Sequence, residues 1–289
     1  MKLLSYSLRG VPSWGALVNG RVVDLQAASH GRAPTLRSAL AQLSLDAIEA
    51  LASAHPATIE LSDIAWLPVI PDAAKIFCIG LNYDEHRIEA NRDKTAQPTI
   101  FLRLAASQVG HDEPLLLPPE SERFDYEGEI AVIIGRGGRR IAEADAWEHV
   151  AGYAPYNDGS IRDWQSHTSQ WTPGKNFPAT GSFGPCMVTR GEIADGQELT
   201  LTTRLNGVVM QQASTAQLIF SIPRLINYLS TFIPLEAGDV IVTGTPGGVG
   251  FKRSPPVFMR AGDRVEVEVS SIGTLVNMVA AETPSQHKA

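Results

Sequence analysis

The sequence predicts a mainly β, α+β chain, with a small N-terminal α/β domain over residues 1–70 and a larger strand-rich domain over residues 71–289. Asn19-Gly20 and Asn206-Gly207 each separate two short apolar segments, the pattern of a tight hairpin turn. Short Val- and Ile-rich runs recur from residue 72 onward, with Gly-Asp turns at 238–239 and 262–263 launching two of them. Helical periodicity is confined to a few stretches, without the regular strand–helix alternation of a doubly wound sheet.

In chain order, residues 16–18 and 21–23 form the first hairpin. Leu36, Leu40, Leu43, Ala47, Ile48 and Leu51 recur at helical spacing after Pro34-Thr35, and the run ends at His55-Pro56. Pro68 and Pro71 mark the boundary. Strands are expected at 75–79, 99–102, 130–134, 199–205, 208–212, 240–243, 264–270 and 274–279. Ile222, Leu225, Ile226, Leu229 and Phe232 fall on one face of a helix opening at Ser221, with Pro223 tolerated in its first turn. Gly135-Arg136-Gly137-Gly138-Arg139 reads as a hairpin turn.

Composition narrows the function. A net charge of −7 argues against nucleic acid or an anionic membrane surface as the main partner, because phosphate binding needs clustered Lys and Arg. Residues 1–9 lack an apolar core of signal length, and no segment approaches the roughly 20 apolar residues of a membrane span. Cys78 and Cys186 are far apart and form no CxxC pair, which fits a reducing compartment and a cytoplasmic protein.

The chemistry concentrates around Phe124-Asp125-Tyr126-Glu127-Gly128-Glu129, which leads into the apolar run 130–134. Side chains at i and i+2 of a strand share a face, so Glu127 and Glu129 converge, about 7 Å apart at the backbone. Two anions beside a buried run repel each other and lose hydration unless a cation lies between them. Asn157-Asp158-Gly159-Ser160-Ile161-Arg162-Asp163 adds a carboxylate after another apolar run. An all-oxygen set favours Mg²⁺ or Mn²⁺ over zinc. No GxSxG elbow, HExxH helix or GxxxxGK loop is present, so serine-hydrolase, zincin and P-loop chemistry are not supported.

These segments, with Gly174-Lys175-Asn176-Phe177 and Thr243-Gly244-Thr245-Pro246-Gly247-Gly248-Val249-Gly250, occur in the order seen in the fumarylacetoacetate hydrolase (FAH) family. With Gly80-Leu81-Asn82-Tyr83 and residues 86–89, the resemblance covers residues 72–282. It implies a mixed β-roll FAH-type catalytic domain, a homodimer, and Mg²⁺ or Mn²⁺ held by Glu127, Glu129 and Asp158. It further implies His86 as a base oriented by Glu89, Lys175 as a substrate-facing cation, and Arg162, Gln165 and Thr245 as substrate contacts. Where many relatives carry Lys-Pro, this chain has Arg103-Leu104.

The activity expected from this resemblance is metal-dependent hydrolysis of a carbon–carbon bond in a β-diketo acid of the acylpyruvate type, giving pyruvate and a carboxylic acid. The alternative is a decarboxylase or an isomerase of 2-oxo or 2-hydroxydienoic acids in aromatic-compound catabolism. A non-catalytic binding protein on the same scaffold is disfavoured, since a degenerate site has little reason to keep buried like charges.

Overall fold

The computed structural model describes residues 1–91 and 93–283. Its organising element is the strand Gly128–Ile134, every residue of which is buried. Successive side chains alternate between faces, and this one strand serves two cores. Ile130, Val132 and Ile134 pack with Leu225, Ile226 and Leu229 of the helix Ile222–Phe232 and with Leu201, Val267 and Val269 of a second sheet. Ala131 and Ile133 face the other way, toward Trp14, Leu36, Leu40 and Ile48 of the N-terminal region. Glu127 and Glu129 have the parity of Ala131 and Ile133, so they emerge just beyond the end of that second core.

The larger sheet has 13 strands. From its centre, Gly128–Ile134 pairs antiparallel with Val150–Asn157 on one side and Val240–Val242 on the other. Val240–Val242 then pairs in parallel with Ile76–Gly80, and Thr99–Arg103 closes that edge. In the other direction, Val150–Asn157 meets Met187–Thr189, which pairs with Lys2–Leu8 of the N-terminal segment through Leu3↔Met187. A five-stranded sheet runs Val208–Ser214, Thr200–Leu205, Arg264–Val269, Gly273–Ala281, Leu115–Leu117. Both sheets mix parallel and antiparallel neighbours, so the mainly β, α+β class holds.

Both Asn-Gly hairpins form, with φ of 49° and 80° at Asn19 and Gly20 and 52° and 80° at Asn206 and Gly207. The helix expected after Pro34 is two helices, Leu36–Gln42 and Leu45–Ala54. Leu43 is extended, and the Ser44 hydroxyl accepts from the Ala47 N–H to start a new helix. Residues 135–139 open a longer excursion rather than a hairpin turn. Gly138 exchanges backbone hydrogen bonds with Leu235, and the short helix Glu143–His149 intervenes before the chain returns.

Candidate metal centre and its pocket

Register builds the carboxylate cluster. Gly128 pairs with Asn157, and the Asp158 N–H donates to the Glu127 carbonyl at 2.8 Å, setting Asp158 beside the strand that carries both glutamates. The Asn157 side chain accepts from the Glu127 N–H at 3.0 Å, which fixes the approach. Gly128 must lack a side chain because a Cβ there would collide with Thr203 Oγ1 of the second sheet. One oxygen from each of Glu127, Glu129 and Asp158 lies within 4.8 Å of the others, and all three residues are buried.

Three cations share this buried space. Lys175 Nζ lies 2.7 Å from Glu127 Oε2 and 2.6 Å from Asp158 Oδ2. Arg162 bridges Glu127 Oε1 at 2.6 Å and Asp125 Oδ2 at 2.8 Å. Arg103 donates to Asp158 Oδ1 at 2.7 Å. Lys175 sits at the end of the turn Thr172–Lys175, which packs so closely on Arg162–Gln165 that a Cβ at Gly174 would enter the Gln165 backbone. The lysine is therefore 1% exposed rather than a surface loop residue.

Glu129 touches none of these cations. Its Oε2 accepts from the Gly244 N–H at 2.6 Å, and no ion pair to it is found among the described residues. Asp125, Glu127, Glu129 and Asp158 thus set four buried carboxyl groups against the three cations Arg103, Arg162 and Lys175. Burial pushes the Glu129 carboxyl well above the usual carboxylate range, and the charges on Asp158 and Glu127 push it further. Glu127 moves the other way: burial opposes its charge, but Arg162, Lys175 and His86 hold it below the ordinary value. For Lys175, burial works against the charge, yet Asp158 and Glu127 raise its pKa above that of an ordinary amine.

A divalent cation fits what remains. The donor set is carboxylate oxygen alone, which suits Mg²⁺ or Mn²⁺, and the uncompensated member, Glu129, needs a positive charge beside it to give up its proton.

Glu127 and Glu129 of the cluster line a cavity of about 670 Å³. His86, Arg162, Gln165, Lys175 and Thr245 all line it. His86 and Glu89 lie on the helix Asp84–Glu89, with Nδ1 3.5 Å from Glu89 Oε2. That separation is too long for a hydrogen bond, and His86 Nδ1 has no hydrogen-bond partner among the described residues. The Glu89 carboxylate accepts instead from the Gly248 N–H at 3.2 Å, so it joins this helix to the glycine-rich loop. Gln165 Oε1 accepts from Arg162 at 2.9 Å. Thr245 is engaged internally, donating to the Gly128 carbonyl at 2.9 Å and accepting from Gln211 at 2.8 Å.

Residues 75–280 match the fumarylacetoacetate (FAA) hydrolase C-terminal family. The chain belongs to this family. It is 39% identical over 266 residues to the mitochondrial oxaloacetate tautomerase FAHD2A of Homo sapiens, covering 90% of this chain and 84% of the human one. Among solved structures it resembles a probable 2-hydroxyhepta-2,4-diene-1,7-dioate isomerase from Mycobacterium abscessus, with a TM-score of 0.80, 30% identity and 98% and 100% of the two chains covered. It also resembles the maleylpyruvate hydrolase of Sphingobium sp. SYK-6 in complex with manganese(II) and pyruvate, with a TM-score of 0.81, 26% identity and the same coverage.

Sequence reading does not assign three residues that brace this FAH-family centre. Arg103 closes an edge strand and reaches Asp158, the Gly159 carbonyl and Thr180. Asp125 accepts from Arg162 and from the Gly250 and Phe251 N–H groups, tying the glycine-rich loop to the cluster. Gln211 accepts from the Gly128 N–H and donates to Thr245 and the Pro246 carbonyl. The available signal was a charged or amide side chain within a strand otherwise fit for burial, as at Arg103 and Gln211.

Proposed function

We propose that this protein is a divalent-metal-dependent enzyme that interconverts the keto and enol forms of a small 2-oxo dicarboxylic acid such as oxaloacetate. The observation that carries this reading is that the His86 imidazole and the buried Lys175 ammonium line one cavity with the Glu127 and Glu129 carboxylates. Enolisation at carbon 3 of a 2-oxo acid needs a proton carrier and a cation beside the oxygen that gains charge. The human relative's name, an oxaloacetate tautomerase, supports the same reading.

When bound, Mg²⁺ or Mn²⁺ supplies Lewis-acid polarisation of the 2-oxo group. His86 takes the proton from carbon 3: the C–H pair becomes the C2–C3 double bond, and the carbonyl π pair moves to oxygen. In the ketonising direction water takes the enol O–H proton and the protonated imidazole delivers its own proton to carbon 3, while in the enolising direction water protonates the oxygen after carbon 3 is deprotonated. Lys175 faces the developing oxyanion and stays protonated because Asp158 and Glu127 hold its charge. Phe101, 4.9 Å from Lys175 Nζ and edge-on to Trp171, lines the cavity wall beside this ammonium.

Hydrolysis of an acylpyruvate is the second reading, and the His86–Glu89 pair favours it. Glu89 Oε2 stands 3.5 Å from Nδ1, and a shortening of that contact would orient the imidazole to take a proton from water. The name of the Sphingobium neighbour, a maleylpyruvate hydrolase, leans the same way. A cytoplasmic location belongs to our proposal, and the buried, unpaired Cys78 and Cys186 agree with a reducing compartment.

The test follows loss of enol absorbance from freshly dissolved oxaloacetate with Mg²⁺ or Mn²⁺, beside acylpyruvates resolved by mass. We expect rapid ketonisation by the wild type and a loss of about 10²- to 10⁴-fold in His86→Gln. Cleavage of acylpyruvates, with oxaloacetate ketonising only at the buffer rate, would hand the assignment to the hydrolase reading.

A further inference from the structure

We propose that Lys252 selects substrates carrying a second, distal carboxylate, an inference that deepens the 2-oxo acid reading and rests on it. Four positively charged or protonatable side chains line the cavity: His86, Arg162, Lys175 and Lys252. The first three each face a carboxylate: Glu89 for His86, Asp125 and Glu127 for Arg162, Glu127 and Asp158 for Lys175. Lys252 is exposed and forms no ion pair among the described residues. Outside the metal cluster, the acidic residue lining the cavity is Asp93, and it makes no ion pair with Lys252.

The position of Lys252 is defined even though its charge is unmatched. Lys252 Nζ lies 5.0 Å from the centre of the Phe251 ring, and the Arg162 guanidinium lies 4.1 Å from the same centre. The ring thus joins the lysine to the acid network, and the two cations are separated by no more than the total of those distances. The backbone beneath is fixed as well, because the Gly250 and Phe251 N–H groups donate to the two oxygens of buried Asp125 at 2.9 and 3.0 Å. A 2-oxo acid with its carboxylate and oxo group at the metal cluster directs its other end into the cavity. A carboxylate that reaches Lys252 meets an ammonium with no competing carboxylate among the described residues, and a charge-assisted hydrogen bond is among the stronger polar contacts. A methyl or phenyl group at that end gains nothing from Lys252. The lysine therefore discriminates dicarboxylic from monocarboxylic 2-oxo acids, while the cluster and Lys175 treat both alike.

Binding of inert mimics tests this apart from turnover. Calorimetry on the Mg²⁺-loaded protein compares malate, which has a chelating 2-hydroxy acid end and a distal carboxylate, with 2-hydroxybutyrate and with oxalate. The wild type should prefer malate to 2-hydroxybutyrate. Lys252→Met should lower malate affinity on the order of tenfold relative to oxalate, and Lys252→Arg should restore most of it. A malate-to-oxalate ratio unchanged in Lys252→Met overturns the proposal, as does an equal fall for both ligands, which would mark a structural effect. Selective loss of malate binding in a protein that fails to ketonise oxaloacetate would uphold Lys252 while removing the tautomerase reading. Absence of oxalate binding in the wild type would remove both.

Discussion

Glu129 is a buried carboxylate with an amide donor and no cation, and its behaviour should expose the missing positive charge. Because its pKa is raised, the folded protein retains a proton that the unfolded chain releases near the ordinary value of about 4.3. The group therefore favours the metal-free fold on the acid side, and that contribution is lost as pH climbs from the unfolded value to the raised one. Mn²⁺ must displace the retained proton, so titrations near the acid end of the stability range, in buffers of different ionisation enthalpy, should report release of about one proton. Glu129→Gln should abolish that release, weaken Mn²⁺ binding and leave the metal-free melting temperature equal to or above the wild type. A lowered melting temperature would count against surplus charge at this position. Lys175→Met is expected to do the reverse, destabilising the metal-free protein by about 3–5 kcal/mol in urea because Glu127 and Asp158 lose their shared cation. The three carboxylates and Lys175 were legible because they fall in short motifs in a recognisable order. Arg103 was not, since its partner Asp158 lies 55 positions away and no spacing rule connects them.

Elements hold these side chains in register, and Gly128 is where two sheets press together. Gly128→Ala should cost about 1–3 kcal/mol by forcing Thr203 aside, and activity should fall because Glu127 and Glu129 flank the displaced residue. In a Thr203→Ala background the same change should cost clearly less, and simple additivity in the double-mutant cycle would refute the collision. Strand positions were readable where turn chemistry brackets them, as at Asn206-Gly207 and Gly262-Asp263. The division of the N-terminal helices was not, because Leu36, Leu40, Ile48 and Leu51 keep one apolar stripe across the break and only the Ser44 cap marks it. Ser44→Ala should accordingly cost about 1 kcal/mol. Which strands pair was also beyond the sequence: the parallel match of Val240–Val242 with Ile76–Gly80 joins residues more than a hundred positions apart.

At the scale of the whole molecule, the proposed 1–70 unit and the remainder meet through Lys2–Leu8 beside Met187–Thr189 and through the core around Trp14 and Ala131. A fragment beginning at residue 71 should for that reason be poorly soluble or unfolded by circular dichroism, since it would bare that core. The proposed homodimer should appear by light scattering at twice 31.1 kDa. The edge strand Thr99–Arg103 is a natural place to look for its contact, because Leu102 and Leu104 are 48% and 59% exposed. Addition of another strand there is obstructed, as Asn176 occupies the Leu102 carbonyl and the Leu104 N–H, so copies would meet through side chains. Leu104→Glu should shift the population toward monomers. Between those two leucines, Arg103 points inward and grips Asp158, while Asn176 adjoins Lys175. A second copy seated on this rim would adjoin the two residues that tether the charge cluster, and we propose on that ground that assembly and metal capture are linked. Mn²⁺ dissociation constants measured on dilute and concentrated protein should then differ, and equal constants across the dissociation of the dimer would refute the linkage.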